Sequence, residues 1–218
     1  MGEPGFLQGV RADYDAMAEV YAEYARALLD VMPFDRAMFG VFAELVRDAG
    51  LGAVGDLGCG PGRLTAHLAS LGVDAFGVDL SPVMIEIARR THPELRFEVG
   101  SMDALDVPDG SLGGVLAYYS IIHAPPEHVP AFLAEFHRVL APGGHLLLGF
   151  FAEDRSGFVV EPFDHKVSLA YRWSPDHMAG LLRQAGFAMN ASLVREPAAN
   201  ERFQQAYLLA VKPAGTGG

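Results

Sequence analysis

The sequence predicts an α/β fold: a doubly wound, mostly parallel sheet of seven strands, with a terminal antiparallel hairpin and an N-terminal helical cover. Two observations carry this prediction. From Ala53 to Phe150 short apolar strands alternate with helical segments, which is the pattern of right-handed βαβ units. After Gly186 two strands follow each other without a helix between them, so one must run antiparallel to its neighbour.

The N-terminal cover, residues 1–50, is predicted to consist of two helices. From Arg11 to Leu29 apolar and polar residues recur with helical spacing. A second helix is predicted from Phe34 to Asp48, because a proline precedes it and Gly50 follows it.

The core, residues 51–150, is predicted to contain five strands joined by helices. Each strand is a short apolar run, and glycine, proline or serine marks most of the helix boundaries. Ser81 and Pro82 supply an N-cap and a first helical residue. The predicted strands are 53–57, 74–78, 95–99, 112–119 and 145–150. The predicted helices are 63–70, 82–90 and 125–140.

The last third of the chain begins with residues 151–173, which show no regular period and are predicted to form an irregular insertion on the substrate side. Residues 174–212 then supply a last helix, 174–185, and the strands 187–194 and 203–211. No linker-like change in composition divides the sequence, so we expect residues 1–218 to form a single domain.

Composition excludes several classes of protein. The chain has 218 residues, of which 50% are hydrophobic, enough for a sizeable core. A net charge of −11 disfavours a nucleic-acid partner, because phosphate binding needs a basic surface. No apolar run is long enough to cross a membrane, and the N-terminus does not resemble a signal peptide. Cys59 is the only cysteine, so we expect no disulfide, no metal site and a cytoplasmic location.

A glycine-rich loop follows the first strand. Gly58, Gly60 and Gly62 allow positive φ angles and let a ligand approach the backbone beside a helix N-terminus. Nicotinamide, flavin and other nucleotide-binding folds share such a loop. The alternative is a tight turn without a ligand.

Two acidic residues follow the next strands at the same edge of the sheet. Asp79 comes after the second strand, where a carboxylate can accept hydrogen bonds from ribose hydroxyls. A purine could stack on Met102 and donate its amino hydrogens to Asp103, after the third strand. The alternatives are a helix-capping role for Asp79, although Ser81 already supplies a cap, and an ordinary loop role for Asp103.

Together these motifs resemble class I S-adenosylmethionine-dependent methyltransferases, in particular the small-molecule type. The similarity extends over about Ala53 to Phe150, and the terminal hairpin fits the family's last, antiparallel strand. The matching segments are Val54–Gly62, Gly77–Ser81, Gly100–Asp103, Ser120–His123 and Phe136–Gly144.

The resemblance implies a Rossmann-like fold that binds S-adenosyl-L-methionine and releases S-adenosyl-L-homocysteine. It implies contacts to the methionine part and ribose from Asp56, Gly58, Cys59, Gly60 and Gly62. It implies ribose binding by Asp79 and adenine binding by Leu80, Met102 and Asp103. Further implied cofactor contacts are Met84, Ser101, Tyr118 and Tyr119. An N-terminal helix with Tyr14 and Tyr21 would close the site; the alternative is that these tyrosines only pack.

The implied reaction is in-line transfer of the methyl group to a small acceptor with a hydroxyl or amine. Placement of the two substrates removes much of the barrier, and a base is needed only if a proton must leave. His123 is the candidate base; the alternative is that it orders its loop. We expect the acceptor near Tyr118, Tyr119, Ser120, His123, Phe150 and Phe151, below His165, Tyr171 and Trp173.

Three other functions are considered. A cofactor-binding protein without methyl transfer is compatible with every motif, and a methyltransferase acting on a macromolecule is a further alternative. A nicotinamide-dependent oxidoreductase would share the glycine loop but would not explain Asp56, the pair Met102 and Asp103, or the hairpin.

Overall fold

The computed structural model describes residues 4–25 and 32–215. The helices are α1 (Gly5–Ala25), α2 (Pro33–Ala49), α3 (Arg63–Ser70), α4 (Pro82–Thr91), α5 (Val129–Val139) and α6 (Pro175–Gln184). The strands are β1 (Val54–Leu57), β2 (Ala75–Asp79), β3 (Arg96–Val99), β4 (Leu112–Tyr118), β5 (Leu140–Ala152), β6 (Val160–Asp164), β7 (Leu169–Trp173), β8 (Ala188–Arg195) and β9 (Gln204–Val211).

One nine-stranded sheet forms the centre of the fold. Strands β3, β2, β1, β4 and β5 are parallel neighbours in that order. On the far side of β5, β9 runs antiparallel to it and β8 runs antiparallel to β9. The predicted doubly wound sheet and its terminal hairpin are therefore confirmed. The carboxyl ends of the five parallel strands meet at one edge, which is where such folds bind ligands.

The segment 151–173 is more regular than the sequence predicts. It contains β6 and β7, which form an antiparallel hairpin attached to the tip of β5 through the pair Ala152 and Trp173. The prediction of an irregular insertion is wrong, and the sheet has nine strands instead of seven. Strand β6 is largely exposed and contains Pro162, so it lacks the alternation of buried and exposed residues that marks a strand in a sequence.

Helices cover both faces of the sheet. On one face Phe39, Phe42 and Val46 of α2 pack with Leu116 of β4 and Leu147 of β5. The helices α5 and α6 cover the other face, where they form the largest buried cluster with β4, β5 and β9. The predicted N-terminal cover is thus provided by α2, while α1 packs mainly against α4.

The helix boundaries follow the predicted signals with two differences. The Ser81 hydroxyl accepts a hydrogen bond from the Met84 amide at 3.0 Å, as an N-cap should. Helix α1 begins at Gly5 instead of Arg11, and residues 26–29 of its predicted range lie outside the described residues. The predicted helix 125–140 is shorter in the structure, where α5 begins at Val129. A separate 3-10 turn forms before it at Ile121–His123. Among the described helices, none has the length and apolarity needed to cross a membrane.

Candidate functional site

The glycine loop lies between β1 and α3 and is held against β2. The Gly58 amide donates to the Val78 carbonyl at 2.7 Å, and φ is 76° at Gly58 and 54° at Gly60. A Cβ atom on Gly58 would lie 2.3 Å from the Cβ of Ser120, so a side chain has no room there. At Gly60 the nearest atom to such a Cβ would be on the Tyr21 ring, 3.8 Å away. The loop is therefore closely packed below and faces α1 above.

Asp79 joins the glycine loop to the start of α4. Its two carboxylate oxygens accept hydrogen bonds from the amides of Gly60 at 2.8 Å and Ser81 at 2.9 Å. Burial raises the pKa of the Asp79 carboxyl, and the charge of Asp15 raises it further. Each carboxylate oxygen has two lone pairs, so both oxygens can still accept a ligand hydroxyl. Asp79 thus binds the backbone at the start of α4, which is the capping role given as the alternative for this residue. Its oxygens can still accept hydrogen bonds from a ligand.

Asp56 lies underneath the loop. Its side chain is 1% exposed and accepts a hydrogen bond from the Thr65 hydroxyl at 2.7 Å. Burial raises the pKa of the Asp56 carboxyl to about 7, although the Thr65 hydrogen bond and the Arg63 charge oppose this rise. The structure places Asp56 as a support that ties β1 to α3.

Arg63 is a residue of this site that the sequence analysis missed. Its Nη1 atom is buried without a hydrogen-bond partner. Burial raises the pKa of both Asp56 and Tyr21, and the Arg63 charge opposes each rise. A guanidinium beside the glycine loop can hold an anionic group of a ligand. The sequence signal is a single cation directly after the last loop glycine, at the first position of the predicted helix 63–70.

Helix α1 lies over the glycine loop and Asp79. The rings of Tyr14 and Tyr21 are 5.8 Å apart, and the charge of Asp79 raises the pKa of both phenols after the larger effect of burial. Arg11 Nε donates to the Leu80 carbonyl at 3.2 Å, and the Ser81 hydroxyl donates to Asp15. The structure therefore brings the two predicted tyrosines together with Asp79, in positions that both pack α1 and cover the loop.

The remaining cofactor candidates fall into two groups. Ser101, Met102 and Asp103 follow β3 and are half-buried, and the Ser101 hydroxyl donates to Asp103. Met84 and Cys59 have buried side chains that pack between helices and strands, Met84 against Ala18 of α1 and Cys59 against Ile85. Burial also raises the pKa of the Cys59 thiol well above its usual value. These two side chains contribute packing around the site.

His123 connects three elements. Its Nδ1 atom lies 2.7 Å from the Leu169 carbonyl of β7, and its Nε2 atom lies 2.9 Å from the Tyr14 hydroxyl of α1. Because a carbonyl can only accept, Nδ1 carries the hydrogen and Nε2 accepts from Tyr14. Burial lowers the pKa of His123, which favours this neutral form. His123 thus ties its loop to β7 and α1, and its basic nitrogen is engaged with the Tyr14 hydroxyl.

The acceptor side contains most of the predicted aromatic residues. Tyr119, at φ 53°, packs on Phe151 with ring centroids 4.7 Å apart, and its hydroxyl donates to Gln205. The His165 ring lies 5.3 Å from His123, and Tyr171 is half-buried on β7. Phe150 and Trp173 are 0% and 1% exposed and belong to the core.

Asp35 is a second residue that the sequence analysis missed. It lies in the first turn of α2 and accepts a hydrogen bond from the Tyr118 hydroxyl.

In residues 4–25 and 32–215, no group of three or more histidine, cysteine, aspartate or glutamate side chains could hold a metal ion.

Known proteins resemble this chain in sequence. Residues 54–144 match the family described as "Methyltransferase domain". A demethylmenaquinone methyltransferase of Beutenbergia cavernae is 31% identical over 128 residues, which cover 56% of this chain and 52% of that protein. An O-methyltransferase of Penicillium expansum is 31% identical over 146 residues, covering 61% of this chain and 50% of that one. The chain thus spans about half the length of the curated relatives it matches.

A solved structure resembles nearly the whole chain. It is the 1,6-didemethyltoxoflavin-N1-methyltransferase of Burkholderia thailandensis, with bound 1,6-didemethyltoxoflavin and S-adenosylhomocysteine. The two share a TM-score of 0.72 and 23% sequence identity, over 98% of this chain and 92% of that chain. This likeness shows that the folds are the same.

Proposed function

Because residues 54–144 form a methyltransferase domain of the class I fold, we propose that this protein transfers a methyl group from S-adenosyl-L-methionine to a small-molecule acceptor. The observation that carries the proposal is the junction between the glycine loop and Asp79. The hydrogen bond of 2.8 Å from the Gly60 amide brings a loop with positive φ angles and a buried carboxylate into one site. This combination suits a nucleoside ligand with an adjacent polar tail.

The residues present fit the cofactor. Asp79 would accept from the two ribose hydroxyls with its remaining lone pairs, and the backbone at Gly58 and Gly60 would lie along the methionine part. The unpartnered Nη1 of Arg63 would pair with the methionine carboxylate. Met102 and Asp103 would lie at the adenine end, and when bound the cofactor supplies an electrophilic methyl group on a sulfonium.

The protein contributes placement and exclusion of water. Helix α1 covers the site with Tyr14 and Tyr21, and holding both substrates in line removes much of the barrier. His123 lines the acceptor side and fastens α1 through Tyr14. Its only lone pair is engaged in the closed state, so we propose that placement dominates and that His123 is not the main base.

We propose an acceptor with a hydroxyl or amine, and the relatives support a small molecule as the acceptor. Their names describe methylation of demethylmenaquinone, an O-methyl transfer and an N-methyl transfer to 1,6-didemethyltoxoflavin. The net charge of −11 disfavours a nucleic-acid substrate. We further propose that the chain acts as a single domain, in the cytoplasm, without a membrane partner.

The second candidate is a cofactor-binding protein that does not transfer methyl groups. The engaged Nε2 of His123 favours it, because this nitrogen already accepts a hydrogen bond from Tyr14 and is not free to take a proton from an acceptor. The two functions differ in their product, since only the enzyme releases S-adenosyl-L-homocysteine in the presence of an acceptor.

The deciding experiment incubates the protein with methyl-labelled S-adenosyl-L-methionine and a panel of phenols, alcohols, amines and nitrogen heterocycles. We expect label in at least one acceptor, with an equal amount of S-adenosyl-L-homocysteine. Asp79→Asn is the matched control, because it should reduce transfer through loss of cofactor affinity. Cofactor binding without transfer to any acceptor would favour the second candidate.

A further inference from the structure

The imidazole of His123 links two elements that cover different parts of the site. Its Nδ1 atom lies 2.7 Å from the carbonyl of Leu169, the first residue of β7, and its Nε2 atom lies 2.9 Å from the Tyr14 hydroxyl of α1. The ring also packs on His165, between β6 and β7, with centroids 5.3 Å apart. Helix α1 covers the glycine loop, whereas the hairpin of β6 and β7 lies on the acceptor side. One side chain therefore touches both covers of the site.

The 3-10 turn that carries His123 is anchored in the core. Ile121 and Ile122 are 0% and 2% exposed and belong to the largest buried cluster. Because burial holds the backbone of this turn, the imidazole starts from a fixed place. What can still change is the orientation of the ring and the nitrogen that carries its hydrogen.

Helix α1 has few buried side chains to hold it over the site. Along its 21 residues the buried ones are Leu7, Ala18 and Ala25. Its polar contacts, besides that with His123, join Arg11 to the Leu80 carbonyl, Asp15 to the Ser81 hydroxyl, and Glu19 to Arg90. Elements with few buried contacts open at a low cost in free energy. Helix α1 can therefore move away from the loop, as the entry of a cofactor requires.

The hairpin of β6 and β7 is buried at its base and exposed at its tip. At the base, Trp173 is 1% exposed and pairs with Ala152 of β5. At the tip, Leu169 is 55% exposed and its carbonyl accepts from His123, while the Asp164 carbonyl accepts from Arg202 at 2.9 Å. The first of these two hydrogen bonds continues through the imidazole to α1. The position of the tip therefore depends on the state of His123.

The two hydrogen bonds of His123 depend on each other. A neutral imidazole carries its hydrogen on one nitrogen, and the bond made by the other nitrogen selects which one. When Tyr14 donates to Nε2, that nitrogen holds the lone pair, so Nδ1 carries the hydrogen and donates to the Leu169 carbonyl. In the other tautomer two lone pairs would face each other at this carbonyl. The closed α1 thus selects the form of His123 that holds the hairpin.

We propose that His123 is a positioning residue that couples the closing of α1 over the cofactor to the placement of the β6–β7 hairpin over the acceptor. The inference rests on the proposed function and adds an order to it, because the acceptor side is complete only when the cofactor is in place. A single neutral hydrogen bond supports a coupling of about two- to tenfold.

The matched pair of variants is Tyr14→Phe and Tyr24→Phe. Both replace a tyrosine of α1 by phenylalanine, but Tyr14 contacts His123, whereas Tyr24 is 66% exposed. Tyr14→Phe removes the hydroxyl that selects the tautomer and keeps the other polar contacts of α1. His123→Phe is a second variant, which removes both hydrogen bonds and keeps an aromatic ring.

Hydrogen–deuterium exchange, measured by mass spectrometry, compares each protein with and without saturating S-adenosyl-L-homocysteine. In the parent and in Tyr24→Phe we expect the ligand to slow exchange about two- to tenfold, both in α1 and in residues 160–173. In Tyr14→Phe and His123→Phe exchange should still slow in α1 but should no longer respond in residues 160–173. Calorimetry establishes saturation for each protein, so a weaker affinity does not imitate a loss of coupling.

The tautomer of His123 gives a second readout. In nitrogen-15 NMR spectra of the imidazole groups, the signals absent from His123→Phe identify those of His123. In the complex with S-adenosyl-L-homocysteine we expect the hydrogen on Nδ1 in the parent and in Tyr24→Phe. In Tyr14→Phe a larger share of the molecules should carry it on Nε2.

Three results would overturn the proposal. The first is a parent protein that binds S-adenosyl-L-homocysteine without slower exchange in residues 160–173. The second is equal slowing of these residues in the parent and in Tyr14→Phe, and the third is a His123 tautomer that Tyr14→Phe leaves unchanged. Failure of the folded parent to bind S-adenosyl-L-homocysteine at all would instead contradict the proposed function.

Discussion

The buried carboxylate of Asp56 should make the stability of this protein fall as pH rises. Its side chain is 1% exposed, and burial raises its pKa from 3.8 to about 7. The folded protein therefore binds this proton more tightly than the unfolded chain does. The stability that protonated Asp56 contributes is fully present below pH 3.8 and is lost as pH rises to about 7. Asp56→Asn removes this dependence and keeps an oxygen for the Thr65 hydroxyl.

The size of the effect follows from the difference between the two pKa values. A difference of about 3 units corresponds to about 4 kcal/mol, at about 1.4 kcal/mol per unit. By pH 5 roughly 1.6 kcal/mol of this is already lost, so about 2.5 kcal/mol remains to be lost between pH 5 and pH 8. The free energy of unfolding of Asp56→Asn, relative to the parent protein, should rise by that amount over this interval.

Urea unfolding at pH 5, 6, 7 and 8 measures this difference. The buried His123 and the half-buried His165 have lowered pKa values and act in the opposite direction, because the unfolded chain then binds more protons. They affect the parent and Asp56→Asn equally, so they cancel in the difference. The exposed Asp74 supplies the control variant Asp74→Asn. A difference that stays constant from pH 5 to pH 8, or that Asp74→Asn reproduces, would refute the reasoning.

Three further predictions concern α1 and the histidine beneath it. His123→Ala should lower turnover by less than about tenfold and should mainly weaken acceptor binding, as measured by steady-state kinetics. A fall in turnover of about 10²–10⁴-fold, with loss of the pH step in turnover, would instead establish His123 as the base. Tyr14→Phe should leave Tm nearly unchanged but weaken S-adenosyl-L-homocysteine binding in calorimetry, because α1 loses its hydrogen bond to His123. Removal of residues 1–31 should leave a folded core that has lost cofactor affinity, and a core that fails to fold in circular dichroism would assign α1 to packing alone.

The parts of the fold that the sequence predicted are those with strong local signals. Strands β1, β2 and β4 are short apolar runs buried on both faces, and the helix starts at Ser81 and Ser174 carry a serine followed by proline. The hairpin of β6 and β7 was missed because its first strand is exposed at the edge of the sheet. Its sequence therefore carries no alternation of apolar and polar residues.

In the candidate site, too, the features with a local sequence signal could be predicted and those that depend on tertiary contacts could not. The positive φ angles of the glycine loop and the position of Asp79 after β2 could be predicted, because both depend on local sequence. Asp35 and Arg63 could not be, because each looks like an ordinary first-turn residue of a helix. Only the tertiary contacts show that Asp35 accepts a hydrogen bond from Tyr118 and that Arg63 lies beside the loop.

The central claim is that the glycine loop and Asp79 together bind S-adenosyl-L-methionine. The most direct test is calorimetric titration of S-adenosyl-L-homocysteine into the parent protein and into Asp79→Asn. Asparagine keeps one acceptor oxygen but loses the charge, and hydrogen bonds to charged groups contribute roughly 1.5–3 kcal/mol. We therefore expect saturable binding to the parent and an affinity at least about tenfold lower in a variant with an unchanged circular dichroism spectrum. Equal affinity in the two proteins, or no binding to the folded parent, would contradict the claim.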